Sequence, residues 1–145
     1  MSTSLIVGLD GSDSGERAMA YAKRLAGLIG DCTIELIYVI EWSPFTFQTA
    51  EENEFRHKRR EEEIQTAMSR IIDPAVAALK KDGVSVNGRV RHGDAAEILN
   101  AAAKQEKAEQ IIVARSSEGG FTQRVFGSVT ANLVMSASVP VTVVG

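Results

Sequence analysis

The chain has 145 residues, of which 44% are hydrophobic and 24% charged, with a net charge of −3. That length suits one domain around a single packed core, and the composition excludes a disordered chain. The mixed, slightly acidic charge excludes a basic nucleic-acid-binding stripe, the lone Cys32 excludes an internal disulfide, and no apolar run reaches the roughly 20 residues of a bilayer span.

Met1-Ser2-Thr3-Ser4 runs directly into apolar residues without a charged leader or cleavage site, so the cytoplasm is the expected location. Leu5 to Leu9 reads as a buried strand ending at Asp10. Asp13, with Glu16 three residues on, forms the capping-box pattern of a helix. Ala18, Tyr21, Ala22, Leu25 and Ile29 make its buried face and Gly30 closes it. Cys32 opens the next apolar run and is expected to be a small buried residue. Thr33 to Ile40 is a second strand, and Glu41 to Ala50 a loop carrying Trp42, Pro44, Phe45 and Phe47.

Glu51 to Lys81 is predicted to be helical. Its basic stretch Arg56 to Arg60 is followed by Glu61, Glu62 and Glu63. The i, i+4 pairs His57–Glu61, Lys58–Glu62 and Arg59–Glu63 mark a solvated helix face rather than a binding patch. Pro74 has no amide proton and predicts a kink or break, with Asp73 as N-cap of a new segment. Val84 to Arg91 alternates as a third strand, and Asp94 with Glu97 offers a second capping box before a helix burying Ile98, Leu99 and Ala102.

Gln110 to Ala114 is the fourth strand, Arg115 to Phe126 a loop, Gly127 to Ala137 a short helix and Val139 to Val144 the last strand. Strands alternating with helices imply successive βαβ units: an α/β fold with a mostly parallel sheet covered on both faces. Ligands of such sheets bind beyond the carboxyl ends of the strands, where strand order reverses. That directs attention to Asp10-Gly11-Ser12, to Val39-Ile40 and to the stretch from Ala114 to Ser128.

Several chemistries are excluded. No Gly, four residues, Gly-Lys-Ser/Thr segment is present, so there is no phosphate-binding P-loop. Gly8-Leu9-Asp10-Gly11-Ser12 is not a dinucleotide fingerprint, and a carboxylate there opposes a pyrophosphate by roughly 4 kcal/mol at 4 Å near a surface. A phosphoacceptor receiver domain would need clustered acidic residues after its first strand and a Lys near its fifth, and both are missing. His57 and His92 lack partners at metal-ligand spacing, and no Ser lies in a nucleophile elbow. No catalytic or metal-ligating residue is therefore assigned. Gly127-Ser128-Val129 opens a helix whose amide protons could face an anion. Ser128 either adds a donor to it or simply caps its own helix.

The opening Leu5-Ile6-Val7-Gly8-Leu9-Asp10-Gly11-Ser12, the segment Gly93-Asp94-Ala95-Ala96-Glu97-Ile98-Leu99, and the close from Gly127-Ser128 to Val139-Pro140-Val141-Thr142-Val143-Val144 together resemble the universal stress protein family. The resemblance covers essentially the whole chain, 1–145, as one domain. It implies an adenine-nucleotide-hydrolase-like fold, an open five-stranded parallel sheet in the order 3-2-1-4-5. It also implies ATP, with Mg2+, between strands 1 and 4. Asp10 would contact the adenosine part, Val39 would line the adenine pocket, and Val113, Ala114, Ser117, Gly127, Ser128 and Val129 would belong to the strand and loop that cradle the phosphates.

The family's ATP signature is Gly, two residues, Gly, nine residues, Gly and Ser or Thr. Here Ala114 and Ser117 replace the first two glycines while Gly127-Ser128 is kept. Positive φ at those positions would cost about 1 kcal/mol or more. Ser117 could offset this with its hydroxyl, and Arg115 and Arg124 could supply charge. The expected function is a homodimeric stress-response or regulatory module that binds an adenine nucleotide. The alternative is a dimeric protein-interaction module without nucleotide. A slow ATPase or related nucleotide-hydrolysing enzyme is the third possibility, with no candidate base beyond loop groups such as Glu118. The apolar last strand, Val139 to Val144, is expected to pair with its twin, because a bare apolar edge invites aggregation. A protein partner is expected, its identity unknown; nucleic acid and membrane insertion are not.

Overall fold

The computed structural model describes residues 2–10, 14–41, 50–115 and 128–145, the side chains of 50–56 and 128 excepted. The elements in chain order are β1 (Thr3–Leu9), α1 (Ser14–Ile29), β2 (Cys32–Glu41), α2 (Ala50–Ala67), a π-helical turn (Met68–Ile72), α3 (Asp73–Lys81), β3 (Ser85–Gly93), α4 (Ala95–Glu106), β4 (Gln110–Ala114), α5 (Ser128–Ser136) and β5 (Val141–Val144). The five strands form one parallel sheet in the order β3-β2-β1-β4-β5, as the sequence resemblance implied.

Alternation along the strands divides the core in two. Leu5, Val7 and Leu9 of β1, with Leu36 of β2, face α1 and α3; Ile6, Ile37 and Val39 face α4 and α5. The chain steps outward from β1 through β2 to β3, then α4 carries it back across the sheet to β4. That reversal leaves a crevice at the carboxyl ends of β1 and β4.

Two glycines let helices sit directly on the sheet. A Cβ on Gly8 would lie 2.7 Å from Leu99 Cδ1 and 3.2 Å from Val113 Cγ1, so α4 packs where β1 has no side chain. A Cβ on Gly88 would overlap Ile72 Cγ2 and lie 2.8 Å from Val76 Cγ2.

Four local expectations are corrected. The buried face of α1 is Ala18, Ala22 and Ala26, while Tyr21 and Ile29 are exposed; small side chains let the helix approach the sheet and the large ones sit on the rim. Of the kink or break expected at Pro74, the break does not occur, and the helical path runs on through an irregular turn. A π turn precedes Pro74, in which the Asp73 amide donates to Met68 O, and widening the ladder accommodates the missing proline donor. Asp73 is therefore helical and not an N-cap; Ile72 holds that place, with helical φ and ψ. The last strand starts at Val141, although the Pro140 carbonyl already accepts from Ile111 N at 2.9 Å. Proline has no amide with which to extend the ladder.

Other expectations hold. Asp94 accepts from Glu97 N at 2.9 Å, Gly30 donates to Ala26 O at 2.9 Å, and Cys32 is buried. Of the three helical ion pairs, His57–Glu61 (3.4 Å) and Arg59–Glu63 (3.9 Å) form. The Asp13 cap, the aromatic segment from Trp42 to Phe47, and Ser117, Glu118, Arg124 and Gly127 lie outside the described residues. No helix among the described residues is long and apolar enough to cross a membrane.

Candidate functional site

A cavity of about 200 Å³ opens at the carboxyl ends of β1, β2 and β4. Gly8, Leu9 and Asp10 contribute from β1 and the residue after it, Val39 and Glu41 from β2, and Val113 and Ala114 from β4. Ala95 and Leu99 of α4 close one side, Val129 and Thr130 of α5 another, and Ser14 and Gly15 open α1 beside them.

In a parallel sheet the carboxyl end of each strand leads to the amino end of the next helix. The first-turn residues Ser14, Ala95 and Val129 all line the cavity, so three helix amino ends converge on it. Each end carries a partial positive charge from unpaired amides, a favourable surrounding for an anion. At α4 the Asp94 carboxylate already satisfies one of those amides. Two carboxylates, Asp10 and Glu41, oppose this field from the β1 and β2 side. The cavity thus has an acidic end and a helix-dipole end, with Val39, Leu99, Val113 and Val129 as apolar walls.

Of the residues singled out from the sequence, Asp10, Val39, Val113, Ala114 and Val129 are brought together here. Ser128 opens α5 beside Val129. Ala114 ends β4 in regular pairing with Val144, and Lys107 is the only non-glycine with positive φ among the described residues. The expected backbone cost at position 114 is therefore not incurred. The Arg115 side chain lines no part of the cavity and its guanidinium lies beside Gly145, while its backbone amide donates to Val144 O at 2.7 Å and its carbonyl accepts from Arg17 Nη2 at 2.9 Å. Arg17 also donates through Nε to Gly145 O at 3.0 Å, so both arginines serve the β4–β5 end.

Sequence reasoning missed Ser14, Glu41, Leu99 and Thr130. Glu41 was placed in a loop, but it ends β2 opposite Gly93. Ser14 and Thr130 are both buried hydroxyls in helix first turns, a position to which the strand-to-helix junctions could have pointed. Leu99 had no such signal, since its place depends on Gly8 at a distance of ninety-one positions.

On the α1 side of the sheet, burial, then the Asp10 and Glu63 carboxylates, raise the Tyr38 pKa above its usual 10.0 and keep the phenol neutral. His92, beside Ile40 in the β2–β3 register, has Nε2 3.9 Å from Glu63 Oε2 and a buried Nδ1 without a partner among the described residues. Burial, and secondarily Arg60, lower its pKa from 6.5, against an opposing pull from Glu63. Among the described residues, no three His, Cys, Asp or Glu side chains are grouped to hold a metal ion.

Comparison with known proteins agrees with this architecture. The family model described as "Universal stress protein family" matches residues 1–145. Three similar solved structures illustrate the range. The universal stress protein UspA from Lactobacillus plantarum is 18% identical, with a TM-score of 0.84 over 99% of this chain and 97% of that one. A universal stress protein in complex with cAMP is 22% identical, with a TM-score of 0.69 over 99% and 96%. The universal stress protein from Archaeoglobus fulgidus in complex with dAMP is 19% identical, with a TM-score of 0.59 over 100% and 98%. No curated protein is matched.

Proposed function

The chain belongs to the universal stress protein family, and from that premise we propose that it is a homodimeric stress-response module that binds an adenine nucleotide in the cavity between β1 and β4. The observation that carries the proposal is the convergence of three helix amino ends and two carboxylates on one apolar-walled cavity at the point where strand order reverses. The relatives bound to cAMP and dAMP support adenine as the base. Base and sugar lie at the acidic end, where Asp10 accepts from sugar hydroxyls and Val39 and Val113 sandwich the ring. Phosphates lie toward α5, beside Ala114 and Val129; the family resemblance assigns Ser117, Gly127 and Ser128 to the same part of the ligand. ATP, accompanied by Mg2+, is the nucleotide this arrangement serves, and the protein signals by occupancy rather than turnover.

β5 is the outer strand of the sheet, and its four residues are all half-buried. Pairing with a second copy covers that edge and the half-buried valines beside it. The second reading, a dimeric interaction module without nucleotide, is favoured by Ala114 and Ser117 standing where the family's signature has glycine.

Mass spectrometry of ligand released from gently purified protein, with calorimetric titration by MgATP, separates the two. Nucleotide in the released fraction, or saturable heat, is the expected result. Neither at millimolar MgATP would leave the interaction module standing. Light scattering is expected to give twice the chain mass, and to give the monomer when Val143 is replaced by Lys.

A further inference from the structure

Asp10 has a role in the proposed site, but the second carboxylate of the cavity does not. Glu41 follows Val39 by two residues on β2, so strand alternation puts both on the α4 side of the sheet. It lines the cavity and is exposed, and among the described residues no hydrogen bond or ion pair engages it. Glu35, on the same strand and side, is closed by Asn87 and Arg89. Beyond its backbone pairing with Gly93, Glu41 therefore has no side-chain partner among the described residues, and it stands at the end of the cavity that holds the base in the nucleotide site proposed above.

An ionised carboxylate only accepts hydrogen bonds, so whatever ligand edge meets it must donate. The faces of a planar base are taken by apolar walls, which leaves only its edge for polar recognition. On an adenine ring the strong edge donor is the exocyclic 6-amino group. A 6-oxo group at the same place would set oxygen against oxygen, and the donor that a 6-oxopurine does offer on that edge, N1–H, sits one ring position away, so the base would have to shift within its apolar walls to meet the carboxylate. Sites built around such a contact reject the analogue that cannot make it.

We propose that Glu41 is the base-reading residue of this cavity, its carboxylate accepting from the exocyclic amino group of a 6-aminopurine and disfavouring 6-oxopurines. This inference rests on the nucleotide site proposed above. It also orients the ligand, because two carboxylates at one end repel phosphates toward the helix amino ends at the other.

Calorimetric titration of the full chain with AMP, the 6-deamino purine nucleotide and IMP provides the test. AMP is expected to bind about tenfold tighter than either counterpart, the effect of one charge-assisted hydrogen bond. Glu41→Leu is expected to bring AMP down to the affinity of the deamino nucleotide. Glu41→Gln, whose amide offers either an oxygen or an N–H, is expected to bring AMP and IMP within about threefold of each other. Melting curves should show both variants folded, since the native side chain has no partner to lose among the described residues. Discrimination that survives in Glu41→Leu would assign base reading to the backbone and overturn the proposal. Equal affinities in the native chain overturn it while leaving the nucleotide site intact. If the native chain binds none of the three, the site itself is wrong and the inference falls with it.

Discussion

Two glutamates six positions apart on one strand and one side of the sheet have opposite environments. Glu35 is buried beneath the sheet surface, accepts from Asn87 Nδ2 at 2.9 Å and lies 3.5 Å from Arg89 Nη1, which in turn reaches Glu106 at 3.9 Å. Glu41 is exposed at the strand's carboxyl end, facing a cavity. The strand's middle is covered by neighbours and must satisfy every polar group internally. Its carboxyl end, where the chain leaves the sheet for a helix, is released from that demand. The same residue type therefore supports the fold at one position and is left available to a ligand at the other.

Removing each carboxylate tests that contrast most strongly. Glu35→Ala leaves Asn87 without its acceptor and Arg89 with only the longer contact to Glu106. Arg89 and Asn87 both reach solvent, so the loss is that of hydrogen bonds to a charged group, about 1.5–3 kcal/mol. Glu41→Ala is expected to change stability by less than about 0.5 kcal/mol. Urea unfolding of both variants measures the difference. Equal losses would mean that Glu41 is as much a part of the fold as Glu35.

The two close-packed glycines sharpen the comparison at a smaller scale. Gly8→Ala drives a methyl against Leu99 Cδ1 in the cavity wall, and Gly88→Ala drives one against Ile72 and Val76 under the π turn. Overpacking of this kind costs about 1–3 kcal/mol at either site. Only Gly8→Ala is expected to weaken nucleotide binding as well, because Leu99 has to move and it is shared with the cavity. Urea midpoints and titration heats read the two effects separately. Comparable loss of binding in Gly88→Ala would mean that the cavity responds to general loosening of the sheet.

How much of this was legible in the sequence depends on how local the cause was. β4 was read to the residue, Gln110–Ala114, because a short apolar run between polar flanks has few other uses. The Asp94 cap was legible for the same reason: donor and acceptor are three positions apart. The burial of Glu35 was not, since its partners stand fifty-two and fifty-four positions away and become neighbours only through the β2–β3 register. The α1 face was read correctly at Ala18 and Ala22 and misread at Tyr21 and Ile29, because apolar character alone favours large side chains, whereas close packing on a sheet selects small ones such as Ala26. Within the site, strand ends named the β1, β2 and β4 walls and the family resemblance named Val129 on α5, while the α1 and α4 walls needed the fold.

On the other face of the sheet, His92 is an intermediate case: Nε2 has Glu63 at 3.9 Å, while the buried Nδ1 has no partner among the described residues. Its folded pKa is lowered from 6.5, first by burial and then by Arg60. Above pH 6.5 the imidazole is neutral in both folded and unfolded chains, and its contribution to stability is complete. As pH falls below 6.5 the unfolded chain takes up the proton first, so stability declines until the folded-state pKa is also passed. One proton sets the slope at no more than about 1.4 kcal/mol per pH unit. Urea midpoints at about pH 7.0 and about pH 5.5 should therefore fall in the native chain and stay nearly level in His92→Leu, over a range in which most carboxylates remain ionised. At the higher pH the variant should lose little, because it removes a polar atom that has no partner to lose. A slope unchanged in the variant would mean that the π-turn side of the sheet tolerates the imidazolium, and that His92 behaves like Glu41 rather than like Glu35.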